Sequence, residues 1–184
     1  VLELEDLLLR VEGFAGVARA VPVLASRSEP LQEVEVRRDS VVPGVGSGFQ
    51  LLGRDLGQTD SLPGELSAGR WPRPGEGGLA LGEDFAATRA VALGDTLRFA
   101  TPFGEAAFTV TGLLDDASGL GSTNGSRIGV SALEDVQAAL RLAGRASYLE
   151  LELSPDASLS AVRERLEAEL GEAYTVTLPA QSGD

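Results

Sequence analysis

The apolar positions along this chain change period several times, and each change predicts an element. Near the start, Leu2, Leu4, Leu7 and Leu8 fall at helical spacing within residues 1–12, and Gly13 supplies the stop. Residues 17–25 (VARAVPVLA) predict a strand. Pro22 puts it at a sheet edge or a bulge, because proline has no N–H to donate to a ladder. LQEVEVRRD at 31–39 alternates, with Val34 and Val36 on one face. After a VVPGVGSG loop at 41–48, FQLLGRDLG at 49–57 predicts a further strand.

The middle of the chain is richer in Gly and Pro. GLALG at 78–82 predicts a short strand, and EDFAATRAVAL at 83–93 a short helix closed by Gly94. Leu97 and Phe99, then Phe108 and Val110, alternate on either side of the PFGE turn at 102–105, which is the pattern of a hairpin. The loop DASGLGSTNGS at 116–126 leads into RIGV at 127–130, a returning strand.

The last third has the strongest periodicity. SALEDVQAALRLAG at 131–144 predicts a helix with Leu133, Val136 and Leu140 on one face, opened by a capping box between Ser131 and Glu134. SYLELEL at 147–153 alternates strictly. Leu159, Val162, Leu166 and Leu170 then repeat at helical spacing as far as Gly171, with Arg163–Glu167 and Arg165–Glu169 spaced for ion pairs. AYTVTL at 173–178 predicts a second strand, giving a strand–helix–strand unit with a right-handed crossover. The class is α+β: an α/β portion from residues 1–55 and 131–184, with a small Gly-rich β/α subdomain, 56–130, inserted between its halves.

Composition narrows the chemistry. With 43% hydrophobic residues among 184 the chain builds a real core, and with only 5% aromatic that core is mostly Leu, Val and Ala. A net charge of −13 argues against nucleic acid, whose binding depends on Lys and Arg displacing counterions. All 15 basic residues are Arg. Cys and His are both absent, which removes thiolate nucleophiles, imidazole bases and soft metal sites. The absence of Met predicts a piece excised or processed from a longer protein, and no stretch approaches the ~18 apolar residues of a membrane span.

Against that background the candidate sites are few. GEGGLALG lacks the Gly-Lys-Ser/Thr ending of a nucleotide loop, and GLGSTNGS at 119–126 has only Arg127 nearby as a cation, so both predict surface turns. Asp115 and Asp116 lack the alternating acids of a calcium loop. Glu150 and Glu152 stand on the polar face of their strand, and a Ser nucleophile has no base. A carboxylate-dependent hydrolase would need a carboxyl pair in a cleft, and the sequence nominates none. The expectation is no catalytic residue, no cofactor and no metal.

Taken in order, the motifs resemble a known family. GRWPRPGEGGLALGEDFAATRAVALGDTLRF, then PFGEAAFTVTGLLDD, then RIGVSALEDVQAAL, is similar to the external core domain of MacB/FtsX-type ABC transporter permeases. The matching phrases are Gly69–Arg70–Trp71, Gly75–Glu76 followed by the extra Gly77–Gly78, Gly94–Asp95, and Val110 to Asp116, within a resemblance running from Val17 to Leu178. It implies a porter-like portion carrying an inserted subdomain, on the extracytoplasmic face of the membrane between transmembrane helices of the same polypeptide. It also implies a non-catalytic role: a cytoplasmic ATPase hydrolyses ATP, and the domain moves to engage a partner. That partner would be a lipoprotein, a peptide or an exported small molecule, with a homodimer or second permease as assembly. Trp71 is then expected to anchor the inserted subdomain by packing under its short helix. Asp116, Leu120, Thr123 and Asn124 of the 116–126 loop are the expected partner contacts. The rival reading is a stand-alone secreted binding or adhesion module.

Overall fold

The computed structural model describes residues 2–27, 35–36, 40–41, 49–57, 62–101, 103–117 and 126–177. In chain order it begins with β1 (Leu2–Glu3), α1 (Leu4–Glu12) and β2 (Val17–Arg27). Two short strands, β3 (Glu35–Val36) and β4 (Ser40–Val41), precede β5 (Gln50–Arg54), β6 (Leu66–Gly69) and β7 (Gly78–Gly82). Helix α2 (Glu83–Thr88) leads to the hairpin of β8 (Thr96–Thr101) and β9 (Gly104–Leu114). Then come β10 (Ile128–Ala132), α3 (Leu133–Leu140), β11 (Arg145–Ala146), β12 (Tyr148–Leu153) and α4 (Leu159–Leu170). The class is mixed α+β, as the periodicities predict.

The chain divides into two compact units, Val1–Leu4 with Pro22–Leu149, and Glu5–Val21 with Glu150–Asp184. The expected boundary at 56–130 is not where contacts thin out. β10 pairs with β5 in parallel on one side and with β7 antiparallel on the other. The supposed insert and its supposed host thus share one sheet. Pro22 falls where the division does: ladder pairing to β5 starts one residue later, at Val23↔Arg54.

In the larger unit the strand order runs β2-β5-β10-β7-β9-β8-β3-β4, with β6 on β9. The hairpin forms in the register that its alternation demands, Leu97↔Phe108 and Phe99↔Ala106. Alternation divides buried side chains between the two sheet faces. On one face, Leu24, Leu51, Leu79, Leu81, Phe99 and Val110 pack with Phe85 of α2 and Val136 of α3. Phe49 links Phe85 and Phe99 there at ring-centroid distances of 5.1 and 5.4 Å. On the other, Val23, Leu52, Ala80, Leu114, Ile128 and Val130 form a second cluster. Gly53 lets α3 approach, since a Cβ there would lie 2.7 Å from Cβ of Val136.

Both helices of this unit are shorter than the sequence patterns predict. α2 stops because Ala90 turns the chain (φ 55°) and sends Val91 into the core, its N–H donating to Ala86 O at 2.9 Å. α3 ends at Arg141 (φ 51°). The capping box at its start does not form: Ser131 belongs to β10, is fully buried, and donates its hydroxyl to Gly78 O at 2.6 Å. The sheet has taken the side chain that the helix would have used.

In the smaller unit, Val162 and Leu166 form the buried stripe of α4, while Leu159 stays exposed. Ser158 caps α4, accepting from Ala161 N–H. Arg163 pairs with Glu167 at 2.8 Å, whereas Arg165 donates to Ala161 O. Ser154 N–H donates to Gly16 O at 2.9 Å, and Arg19 pairs with Glu152. The predicted second strand is absent among the described residues. After Gly171 (φ 68°) a single 3-10 turn spans Gly171–Ala173, and Tyr174 is extended (φ −130°, ψ 144°) with no ladder partner among the described residues. The strand–helix–strand unit with its crossover is therefore corrected to strand, helix and turn.

Candidate functional site

The segment from Gly69 to Gly78, with its single tryptophan and run of glycines, is built around two carboxylates. The first is local. Arg70 leaves β6 with its N–H on Thr111 O at 2.8 Å and reaches forward to Glu76 through both guanidinium ends, 2.7 and 3.0 Å. The same Glu76 accepts from Arg73 N–H at 2.8 Å. A planar fork against a carboxylate is the arrangement for which arginine is suited and lysine is not. Hydrogen bonding from Arg70, then from the Arg73 backbone, holds the Glu76 carboxyl below its ordinary range, and Glu76 in turn raises Arg70.

The second carboxylate comes from α3. Asp135 accepts from Gly75 N–H at 3.0 Å through one oxygen and from Gly77 N–H at 3.1 Å through the other. Both glycines have positive φ, 83° and 64°, so the backbone presents its amides to the anion. The loop that composition predicts as an ordinary turn is thus filled by the protein's own acid. Asp135 was invisible to sequence reasoning, because 58 residues separate it from Gly77 and no motif joins them.

Trp71 is half-buried, and its neighbours correct the expected packing. It lies on the cluster of Val23, Leu52, Ala80, Leu114, Ile128 and Val130, together with Leu66 and Leu56. Phe85 and Ala86 of α2 belong to the other cluster, so the tryptophan does not sit under that helix. The reason is register: β7 already fills the α2 face with Leu79 and Leu81, leaving Ala80 on the side where a large ring fits.

Of the four expected contact residues, Leu120, Thr123 and Asn124 lie outside the described residues. Asp116 is described, and its oxygens are committed. One accepts from Asp84 N–H at 2.9 Å and the other from the Ser126 hydroxyl at 2.5 Å, so Asp116 joins the two sides of its loop to the start of α2. Ser126 is buried, and its hydroxyl also accepts from Phe85 N–H at 3.3 Å. The Asp116 charge, followed by hydrogen bonding to it, pushes the Asp84 carboxyl above its ordinary value. Among the described residues no group of three or more acids converges as a metal site. No helix there is long and apolar enough to cross a membrane.

The family profile of the MacB-like periplasmic core domain matches residues 2–169. The chain belongs to this family. Among solved structures, it is similar to the periplasmic region of MacB from Actinobacillus actinomycetemcomitans: TM-score 0.62, 16% identity, covering 92% of this chain and 75% of that one. The extracellular domain of the noncanonic ABC-type transporter YknZ from Gram-positive bacteria gives TM-score 0.61 at 11% identity, covering 91% and 83%. A domain of a putative permease protein from Porphyromonas gingivalis gives 0.53 at 17%, covering 83% and 63%. No curated protein matched. At these identities the structural likeness speaks for the fold. The MacB-like motifs seen in the sequence now have physical roles in this MacB-like core domain. Gly69–Arg70–Trp71 supplies the guanidinium and the ring, and Gly75–Glu76 supplies the turn and the carboxylate that closes it.

Proposed function

We propose that this chain is the extracytoplasmic, non-catalytic domain of an ABC transporter permease, displaced as ATP is hydrolysed by a separate cytoplasmic subunit. The family match over residues 2–169 carries the reading. The chemistry supports it: the sequence holds no Cys, His or Lys, and the carboxylates around the Gly-rich loop are engaged by backbone amides and Arg70. Carboxylates held in this way tie the loop to the scaffold. A domain of this kind works by moving as a rigid body and by what its surface engages. The proposed contact with a lipoprotein, peptide or exported molecule is the 116–126 loop, on the ground of its Gly/Ser/Asn/Thr composition.

The absence of Cys makes the test direct. Glu105, exposed in the β8–β9 hairpin, is replaced by Cys in the full polypeptide, and intact cells are treated with a membrane-impermeant maleimide. Labelling without permeabilisation, above the level of the unsubstituted polypeptide, is the expected result. Labelling only after permeabilisation places the domain in the cytoplasm and ends the proposal. Recovery of a freely secreted, labelled chain would favour the stand-alone module instead.

A further inference from the structure

We propose that the Arg73–Gly78 loop is an oxyanion-binding nest whose resident ligand is the Asp135 carboxylate, and that a free carboxylate or phosphate takes this place once the Asp135 side chain is removed. The backbone carries the argument. Gly75 and Gly77 hold φ 83° and 64°, and their N–H groups lie 3.0 and 3.1 Å from the two oxygens of one carboxylate. A Cβ on Gly75 would meet nothing within 4 Å, and one on Gly77 only Ala107 O at 3.8 Å. Space therefore does not demand glycine at either position; the left-handed conformation does, and that conformation is what turns alternate amides toward an anion.

The charges around the loop agree with this assignment. Arg70 is engaged through both guanidinium ends by Glu76. The Arg73 guanidinium stands near enough to help hold Glu76 ionised, and it adds positive potential at the loop. The ligand that the nest selects is thus defined by two N–H donors spaced for the two oxygens of one anion. Carboxylates and phosphate oxygens meet that requirement, whereas chloride offers no pair of oxygens. Asp135 keeps the site closed against both, a plug supplied by α3.

The test follows the amide resonances of Gly75 and Gly77 in this chain, as wild type, Asp135→Ala and Asp135→Asn. Inorganic phosphate, acetate and chloride are titrated at matched ionic strength. In wild type neither glycine responds to any of the three. In Asp135→Ala both amides move away from their wild-type positions, then return saturably with phosphate or acetate in the millimolar range, but not with chloride. Asp135→Asn keeps one acceptor oxygen and turns an NH2 toward the other amide, so one amide stays near its wild-type position while the other moves before any anion is added, and neither returns on titration. If the alanine variant does not fold, Asp135→Ser, whose shorter side chain also vacates the loop, carries the titration. Responses of the alanine or serine variant no larger in the oxyanions than in chloride overturn the nest. A wild-type response equal to that of the same variant overturns Asp135 as its resident ligand.

Discussion

Arg70 and Glu76 meet through two parallel contacts, 2.7 and 3.0 Å, across a loop of five residues that contains Trp71 and two prolines. Because Arg70 donates to it, the Glu76 carboxyl titrates below the usual glutamate range. A depressed folded-state value means that the pair adds stability above the unfolded-state pKa, and that this is lost as pH falls through the lower folded value. Arg70→Lys keeps the charge and loses the fork. The expected result is an upward move of the Glu76 titration in Arg70→Lys, read by carboxyl carbon NMR. An unchanged titration would show that charge alone, without the paired geometry, sets it.

The Asp84–Asp116 relationship has the opposite sign. The Asp116 charge raises the Asp84 carboxyl, so the folded state binds a proton more readily than the unfolded one. Stability from this pair is greatest at acid pH and declines as pH rises from the unfolded-state value of Asp84 through its raised folded value. Asp84→Asn removes the repulsion and leaves the backbone N–H that Asp116 accepts from. Thermal melts should therefore show Asp84→Asn at or above wild type near neutral pH, with the difference shrinking as acid protonates Asp84. A variant less stable than wild type at neutral pH contradicts this account.

Local pattern was enough to read β2, β5, β7, the β8–β9 hairpin, β10, β12 and much of the helical content, because each of those elements announces itself within about ten residues, whereas β1, β6 and β11 carry no such pattern. GLALG became β7 with the bounds expected, and Leu97, Phe99, Phe108 and Val110 all point to one core. What failed was competition between elements. Ser131 reads as a helix cap only while β10 is unknown, and its hydroxyl goes to Gly78 O across the sheet. AYTVTL alternates, yet among the described residues no neighbouring strand pairs with it. The boundary at 56–130 followed a change in composition, whereas the sheet runs straight through it by way of β7 and β10. Asp135 was hidden for the same reason: its partners are distant in sequence.

The close approach of α3 to β5 sets a steep cost on one methyl group. A Cβ on Gly53 would meet Val136 Cβ at 2.7 Å and Leu133 Cα at 3.3 Å. Neither contact is the tip of a flexible side chain, so the helix itself must shift. Gly53→Ala is expected to destabilise the larger unit by about 1–3 kcal/mol, the usual range for overpacking a filled core. Urea unfolding checks it, and a midpoint unchanged from wild type would mean that α3 is free to move outward at this point.

Trp71 gives a final measurement that separates the two sheet faces. It packs with Leu66 and Leu56 on the cluster that holds Val23, Ala80 and Ile128, while Phe85 of α2 lies with the other cluster. Truncation to alanine removes a large but only half-buried side chain, so the expected loss is about 2 kcal/mol, below the range for a fully buried ring. As the single tryptophan it also reports its surroundings by fluorescence. Ile128→Val alters the face that Trp71 touches, whereas Phe85→Leu alters the face of α2. The emission of Trp71 should shift with the first and hold with the second. The reverse pattern would return the tryptophan to a place beneath the helix.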